Sequence, residues 1–164
     1  MRFLLVDRVR ELEIGSRIVA VKNVTLESDY FDHHFPMLPI FPGVLLVEVM
    51  AQSAGYLLWR SVEQAEGRRV LPVLTGIRGA RFLRTVVPGD QLIIEARLSS
   101  LDYHVAQAQV TAHVESDVVA RADLAFGMRH YKNQEEYAAA VRQMDMLARV
   151  LERGAADQAR EELR

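Results

Sequence analysis

The sequence predicts an α+β fold in which a curved antiparallel sheet wraps around one buried helix, and three observations carry that reading. The run from Val44 to Trp59 is apolar on nearly every side, with Glu48 as its only charge, so it cannot be an ordinary surface helix. The chain after residue 70 is a succession of alternating segments parted by turn residues, as antiparallel strands are. Between these parts lies a long connection, residues 25–41, interrupted by Pro36 and Pro39, each of which removes a donor and fixes φ. Long connections in compact domains usually carry function.

Each element has its own justification. Residues 3–6 and 17–24 read as strands, Ile18, Ala20, Lys22 and Val24 alternating with Val19, Val21 and Asn23. Glu13-Ile14-Gly15-Ser16 supplies the turn between them. Pro42-Gly43 opens the helix, which spans about residues 43–62 and ends in solvent at Glu66-Gly67-Arg68-Arg69. Strands are predicted at 70–77, 80–87, 91–101, 105–114 and 118–128, separated by Pro88-Gly89-Asp90, Asp102 and Ser116-Asp117. Thr111, His113 and Glu115 alternate with Val110, Ala112 and Val114, as in a half-solvated antiparallel strand. Residues 134–153 place Tyr137, Val141, Met144, Ala148 and Leu151 at spacings of four and three, an amphipathic helical stripe. Gly154 breaks it, and residues 155–164 are polar enough to fray. The organisation predicted is one domain over residues 1–131 and a helical extension over 132–164, packed on that domain or on a second subunit.

Composition narrows the function classes. With 164 residues, half of them hydrophobic, the chain can bury a sizeable core. A net charge of −2 gives no footprint for nucleic acid or an anionic membrane. No cysteine is present, which excludes disulfides, thiolate zinc sites and cysteine nucleophiles. No apolar run is long enough to span a membrane, and MRFLLVDRV is too soon charged for a signal peptide, so the chain reads as cytoplasmic.

The chemistry concentrates around the Pro-Gly helix entry. A buried carboxylate such as Glu48 either shifts its pKa upward or finds a donor, and pairing with a buried arginine would be the bland outcome. His34 lies in the Pro-punctuated connection, where a histidine is most often a surface or hydrogen-bonded residue. Gly43 could be punctuation, although exposed amides at a helix start also make an anion site. A carboxylic acid beside a histidine is the raw material for paired proton transfer. His33-His34 with Asp29 and Asp32 is not read as a metal site, because adjacent histidines in an extended segment point opposite ways.

Taken together, HFPMLPIFPGVLLVEVMAQ (from His34 to Gln52) resembles the signature of the (3R)-hydroxyacyl-[acyl carrier protein] dehydratases of type II fatty-acid synthesis, which have the hot-dog fold. That family reads roughly HFPGxPxMPGVLxxEAMAQ, and here His34 and Glu48 keep its separation of fourteen, with Pro42-Gly43-Val44 and Met50-Ala51-Gln52 in register. FLLVDRV near the start and GIRGARFLRTVVPGDQL from Gly76 resemble further segments, so the likeness covers roughly residues 2–130. The resemblance implies that His34 takes the C2 proton of a 3-hydroxyacyl thioester and Glu48 protonates the C3 hydroxyl. It implies that the Gly43 amide supports the thioester oxygen and that Gln52, one turn beyond Glu48, orients the acid. No cofactor is implied. The implied partners are acyl carrier protein with its phosphopantetheine-linked substrate and a second copy of the chain. That copy would form a homodimer, or a trimer of dimers, in which the histidine of one chain faces the acid of the other.

Further residues follow from the same likeness. Phe35, Met37, Phe41 and Leu45 could line an acyl tunnel, with core packing as the default for each. Arg78, Arg81 and Arg84 could meet the acidic carrier or its phosphate, against the plain alternative of a solvated strand face. Strict alternation puts Arg78 and Arg84 on one face and Arg81 on the other, unless Gly79 introduces a bulge. His33 and Met37 stand where the family has glycine, a leading segment usual before FLLVDRV is absent, and the C-terminal helix is extra. These departures suit a dehydratase of a specialised polyketide, polyene or lipid pathway. A hot-dog thioesterase and a non-catalytic acyl-binding subunit are the competing readings.

Overall fold

The computed structural model describes residues 4–34, 37–67 and 69–152, with His33 through its backbone alone. Phe35 and Pro36, Phe3 at the start of the strand predicted at 3–6, Arg68 and the chain from 153 on, Gly154 included, lie outside the described residues.

The first strand begins later than predicted. Strand β1 (Arg8–Glu13) pairs antiparallel with β2 (Arg17–Asn23), and the predicted turn at Gly15 joins them with φ of 76°. Leu5 and Val6 are apolar enough for a strand, but they bury against the helix instead, because the Leu5 amide donates to Gln52 Oε1 at 2.8 Å. The Gly15 amide is held in turn by Ser61 of the central helix, whose Oγ accepts from it at 2.8 Å and donates to Leu57 O at 2.7 Å. Ser61 is buried but Gly15 is exposed, so in Ser61→Ala water can take over the Gly15 amide. A loss of about 0.5–1.5 kcal/mol in urea unfolding is expected.

The connection holds one helical turn, α1 (Tyr30–His33), so the two histidines do not share the extended backbone predicted for them. Helix α2 (Gly43–Glu66) follows and runs one polar turn beyond the predicted end, until Gly67 caps it at φ of 62° with its amide on Glu63 O. Arg69 does not lie free in solvent as expected. Its guanidinium meets Glu63 at 2.5 Å, Asp145 at 2.9 Å and Val141 O at 3.1 Å.

Strands β3 (Leu71–Phe82), β4 (Gln91–Leu101), β5 (Val105–Val114) and β6 (Asp117–Arg129) complete one six-stranded antiparallel sheet ordered β1-β2-β4-β5-β6-β3. Strands β4 and β5 keep the predicted bounds. The segments predicted as separate strands at 70–77 and 80–87 form one strand and an extended exit, because Gly79 at φ of 58° makes a bulge rather than a turn. Arg78 pairs with Asp123 and Arg81 with Arg121, which share a face, so the bulge brings Arg78 and Arg81 to the same side. Pro72 is tolerated because β3 is an edge strand.

Helix α2 lies against strands β2 to β6. Small residues make that approach possible: Ala108 lies opposite Leu124, Val110 opposite Ala122 and Ala112 opposite Ala120, all buried. They leave room for Met50, Leu57, Leu58 and Trp59 of the helix, which are equally buried. Exposed apolar side chains lie at the edge strand, where Ile77 and Phe82 pair opposite Leu124 and Ala120 and so share one sheet face, and at Val44 in the first turn of α2.

The C-terminal stripe is a helix, α3 (Gln134–Leu151), capped reciprocally: Asn133 accepts from the Glu136 amide and Glu136 from the Lys132 amide. Met144 and Leu151 are its buried residues, and it packs on its own domain through Arg69 and the residues described below. No helix among the described residues is long and apolar enough to cross a membrane.

Candidate active site

His34 closes the single turn of α1, its amide bonded to Tyr30 O at 3.0 Å. Its Nδ1 lies 3.1 Å from Ile40 O. A carbonyl can only accept, so Nδ1 carries the hydrogen and Nε2 is the basic nitrogen of the neutral ring. The Pro-rich segment after it is pinned by the Phe41 amide, which donates to Val86 O at 2.7 Å beyond β3. His34 and Gly43 therefore face one recess of about 460 Å³ with Phe82, Leu83 and Arg84 on its walls.

Gly43 opens α2 behind Pro42, which has no side chain able to cap. Leu45 and Leu46 both bond Pro42 O, leaving the Gly43 and Val44 amides without an intrahelical acceptor. A Cβ at Gly43 would approach the Phe82 ring to 3.1 Å, so glycine keeps the ring close over the helix start.

Glu48 faces elsewhere. Five residues along a helix turn the side chain by about 140° from Gly43. It is half-buried rather than fully enclosed, and of the two outcomes open to it the donor is present: Gln52 Nε2 donates to Glu48 Oε1 at 2.9 Å. Gln52 also accepts from Leu5 N–H, so its amide cannot flip without losing both bonds. Glu48 and Gln52 stand at the polar end of a second cavity, about 260 Å³, bounded otherwise by apolar groups such as Gly55, Leu74 and Phe126. The two cavities have no wall residue in common. A single chain thus brings His34 to Gly43 and Gln52 to Glu48, and keeps the two pairs apart.

The remaining candidates divide as follows. Phe41 is buried and borders the His34 recess, Leu45 is half-buried against the core, and Met37 is 97% exposed. Arg84 stands on the recess wall with Asp117 at 2.6 Å, whereas Arg78 and Arg81 lie exposed on β3. Among the described residues no group of three or more metal-ligating side chains comes together.

The sequence reading missed the contribution of α3. Met144, Leu147 and Leu151 line the Glu48 cavity, and Glu152 just beyond them bonds Tyr56 Oη and the Arg60 guanidinium. Burial, with Glu152 as the next cause, pushes the Tyr56 hydroxyl well above the ordinary tyrosine range, so it stays a neutral donor. The stripe itself was visible, but a helix pattern does not say which cavity it will cover.

One long helix lying against a curved six-stranded antiparallel sheet is the hot-dog fold. Solved structures agree on that fold. The chain is similar to the dehydratase heterocomplex ApeI:P from Xenorhabdus doucetiae, with a TM-score of 0.61 and 19% identity over 84% of this chain and 89% of that one. It is also similar to the thioesterase HI1161 from Haemophilus influenzae, with a TM-score of 0.58 and 17% identity over 76% and 79%. A fold shared by both does not choose between their chemistries. Sequence does: the model of the FabA-like domain matches residues 1–123, and the 3-hydroxyacyl-[acyl-carrier-protein] dehydratase FabZ of Listeria monocytogenes is 44% identical over 126 residues, 77% of this chain and 85% of that relative. The chain belongs to the FabA-like family.

Proposed function

We propose that this protein dehydrates a (3R)-3-hydroxyacyl thioester, carried on acyl carrier protein, to the trans-2-enoyl thioester. The observation that carries the proposal is the Glu48–Gln52 pair at the head of an apolar cavity in a chain 44% identical to enzymes named for this reaction. His34 Nε2 takes the C2 proton, and the charge that grows on the thioester oxygen falls to the Gly43 amide at the positive end of α2. Glu48 gives its proton to the C3 hydroxyl, which leaves as water while the C2–C3 double bond forms. Gln52 holds the carboxyl so that its second oxygen meets the substrate.

Because the His34 recess and the Glu48 cavity are separate in one chain, the working site is a composite of two copies. Exposed Ile77 and Phe82, on one face of the edge strand β3, supply surface that such a homodimer would cover, and a trimer of such dimers would use other faces. Arg84, on the recess wall, is the best placed of the three arginines to meet the phosphate of the carrier's phosphopantetheine arm. The proposed steps call only on side chains and backbone of the domain over residues 1–131, and the enzyme is read as cytoplasmic.

A thioesterase would use the same helix carboxylate to activate water, and would leave the histidine without a task. Incubation with matched 3-hydroxyacyl- and saturated acyl-carrier-protein thioesters decides between them. Enoyl thioester from the first substrate is expected; release of free thiol from the second, with no enoyl product, would replace the dehydratase by a hydrolase.

A further inference from the structure

We infer that helix α3 closes the far end of the acyl pocket and thereby sets the length of chain this enzyme accepts; the inference rests on the dehydratase reading of Glu48. Apart from Glu48 and Gln52 the cavity is lined by apolar side chains and the rings of Tyr56 and Trp59, which suits a hydrocarbon chain whose thioester end lies at the carboxyl. One wall is Met144, Leu147 and Leu151, spaced three and four on a single face of α3. Helix α3 begins at Gln134, beyond residue 123, where the FabA-like match ends, so this wall comes from outside the shared domain.

The wall is fastened. Asp145 and Glu152 each follow a lining residue by one position, and each is held by an arginine from the body of the domain. Asp145 meets Arg69 at 2.9 Å, and Glu152 bonds Arg60 together with the Tyr56 hydroxyl. Arg69 and Arg60 both lie over the ring of Trp59, itself part of the cavity lining, at 5.9 and 5.8 Å from its centroid. Two ion pairs two turns apart on one helix resist its rolling or lifting, so the apolar side chains between them form a fixed end rather than a passing contact. Glycine at position 55 keeps the opposite side of the cavity open.

The test uses the full chain and two readouts. Trp59 is the only tryptophan, so its fluorescence reports occupancy of this cavity directly. Saturated acyl-pantetheine amides of graded length are titrated into wild type, Leu147→Ala, Met144→Ala and Leu147→Phe. The same proteins are then assayed for kcat/KM on 3-hydroxyacyl thioesters of the same lengths. The alanine variants should gain about tenfold or more for chains just beyond the wild-type limit, and Leu147→Phe should lose as much for the longest chain accepted, the discrimination typical of one methylene in an apolar pocket. Met146→Ala, on the exposed side of α3, should leave both profiles in place. Because Leu147 is changed in both directions, loosening of α3 by alanine cannot imitate the result with phenylalanine. Unshifted binding and kinetic profiles in the folded variants overturn the inference. Shifted binding with no enoyl product would leave the wall in place and sink the dehydratase reading. Enoyl product with unshifted profiles would sink the wall alone.

Discussion

His34→Ala and Glu48→Gln are each expected to lower kcat by about 10²–10⁴-fold on a 3-hydroxyacyl thioester, the range for losing a positioned base or acid. The fold should survive both changes. His34→Ala removes the bond from Nδ1 to Ile40 O, and the neighbouring backbone stays pinned by Phe41 on Val86. A glutamine at position 48 keeps an oxygen for the Gln52 amide to donate to, so the cavity head retains its shape while losing the transferable proton. Turnover within a few-fold of wild type in either variant, with an unchanged circular dichroism spectrum, would remove that residue from the mechanism. Unequal losses would be informative too. A residual rate in Glu48→Gln but not in His34→Ala would mean that C2 deprotonation governs turnover and that expulsion of water tolerates a weaker donor.

Much of this was readable from the chain because the signals were local. Val44 to Trp59 has no polar face, which forces the helix into the middle of the fold, and Pro88-Gly89 and the Asp102 region are turns by residue chemistry alone. His34, Gly43, Glu48 and Gln52 fall within nineteen positions, so one motif names them all. The errors arose where a distant group decides a local structure. Leu5 and Val6 have strand-like side chains, yet the amide of Leu5 is taken by Gln52, a side chain 47 positions away. The two strands read at 70–77 and 80–87 are one as far as Phe82, because the pairing of Arg78 with Asp123 and Arg81 with Arg121 holds the chain in the sheet across the bulge at Gly79. Arg69 follows a Glu-Gly stop and seems bound for solvent, while its partners Val141 and Asp145 lie on a helix whose position no pattern in the sequence specifies. Met37 stands where the motif suggests a tunnel wall, and in the single chain its side chain is 97% exposed.

Mixing His34→Ala chains with Glu48→Gln chains, under conditions that let subunits exchange, should restore activity from background to roughly a quarter of wild type, the yield of one intact site per mixed dimer with random pairing. The reason lies in the geometry of α2. Gly43 and Glu48 are only five residues apart, but the helix turns them to different sides, and His34 stays with Gly43 through the recess that both line. No rotamer change carries Glu48 round its own helix, so the proposed pairing of base and acid on one substrate takes the acid from a second chain. The edge strand β3 borders both cavities, the Glu48 cavity through Leu71 and Leu74 and the His34 recess through Phe82, and its exposed Ile77, on the same sheet face as Phe82, provides apolar area for a partner to bury. A charged residue at Ile77 should therefore abolish the restoration together with the wild-type activity, by separating the subunits rather than by touching either site. Exchange has to be established independently, for instance from mixed masses of differently tagged chains. If it is, and activity remains at background, then His34 and Glu48 act within one chain, and α1 with its proline-rich exit must swing across the start of α2 during each turnover.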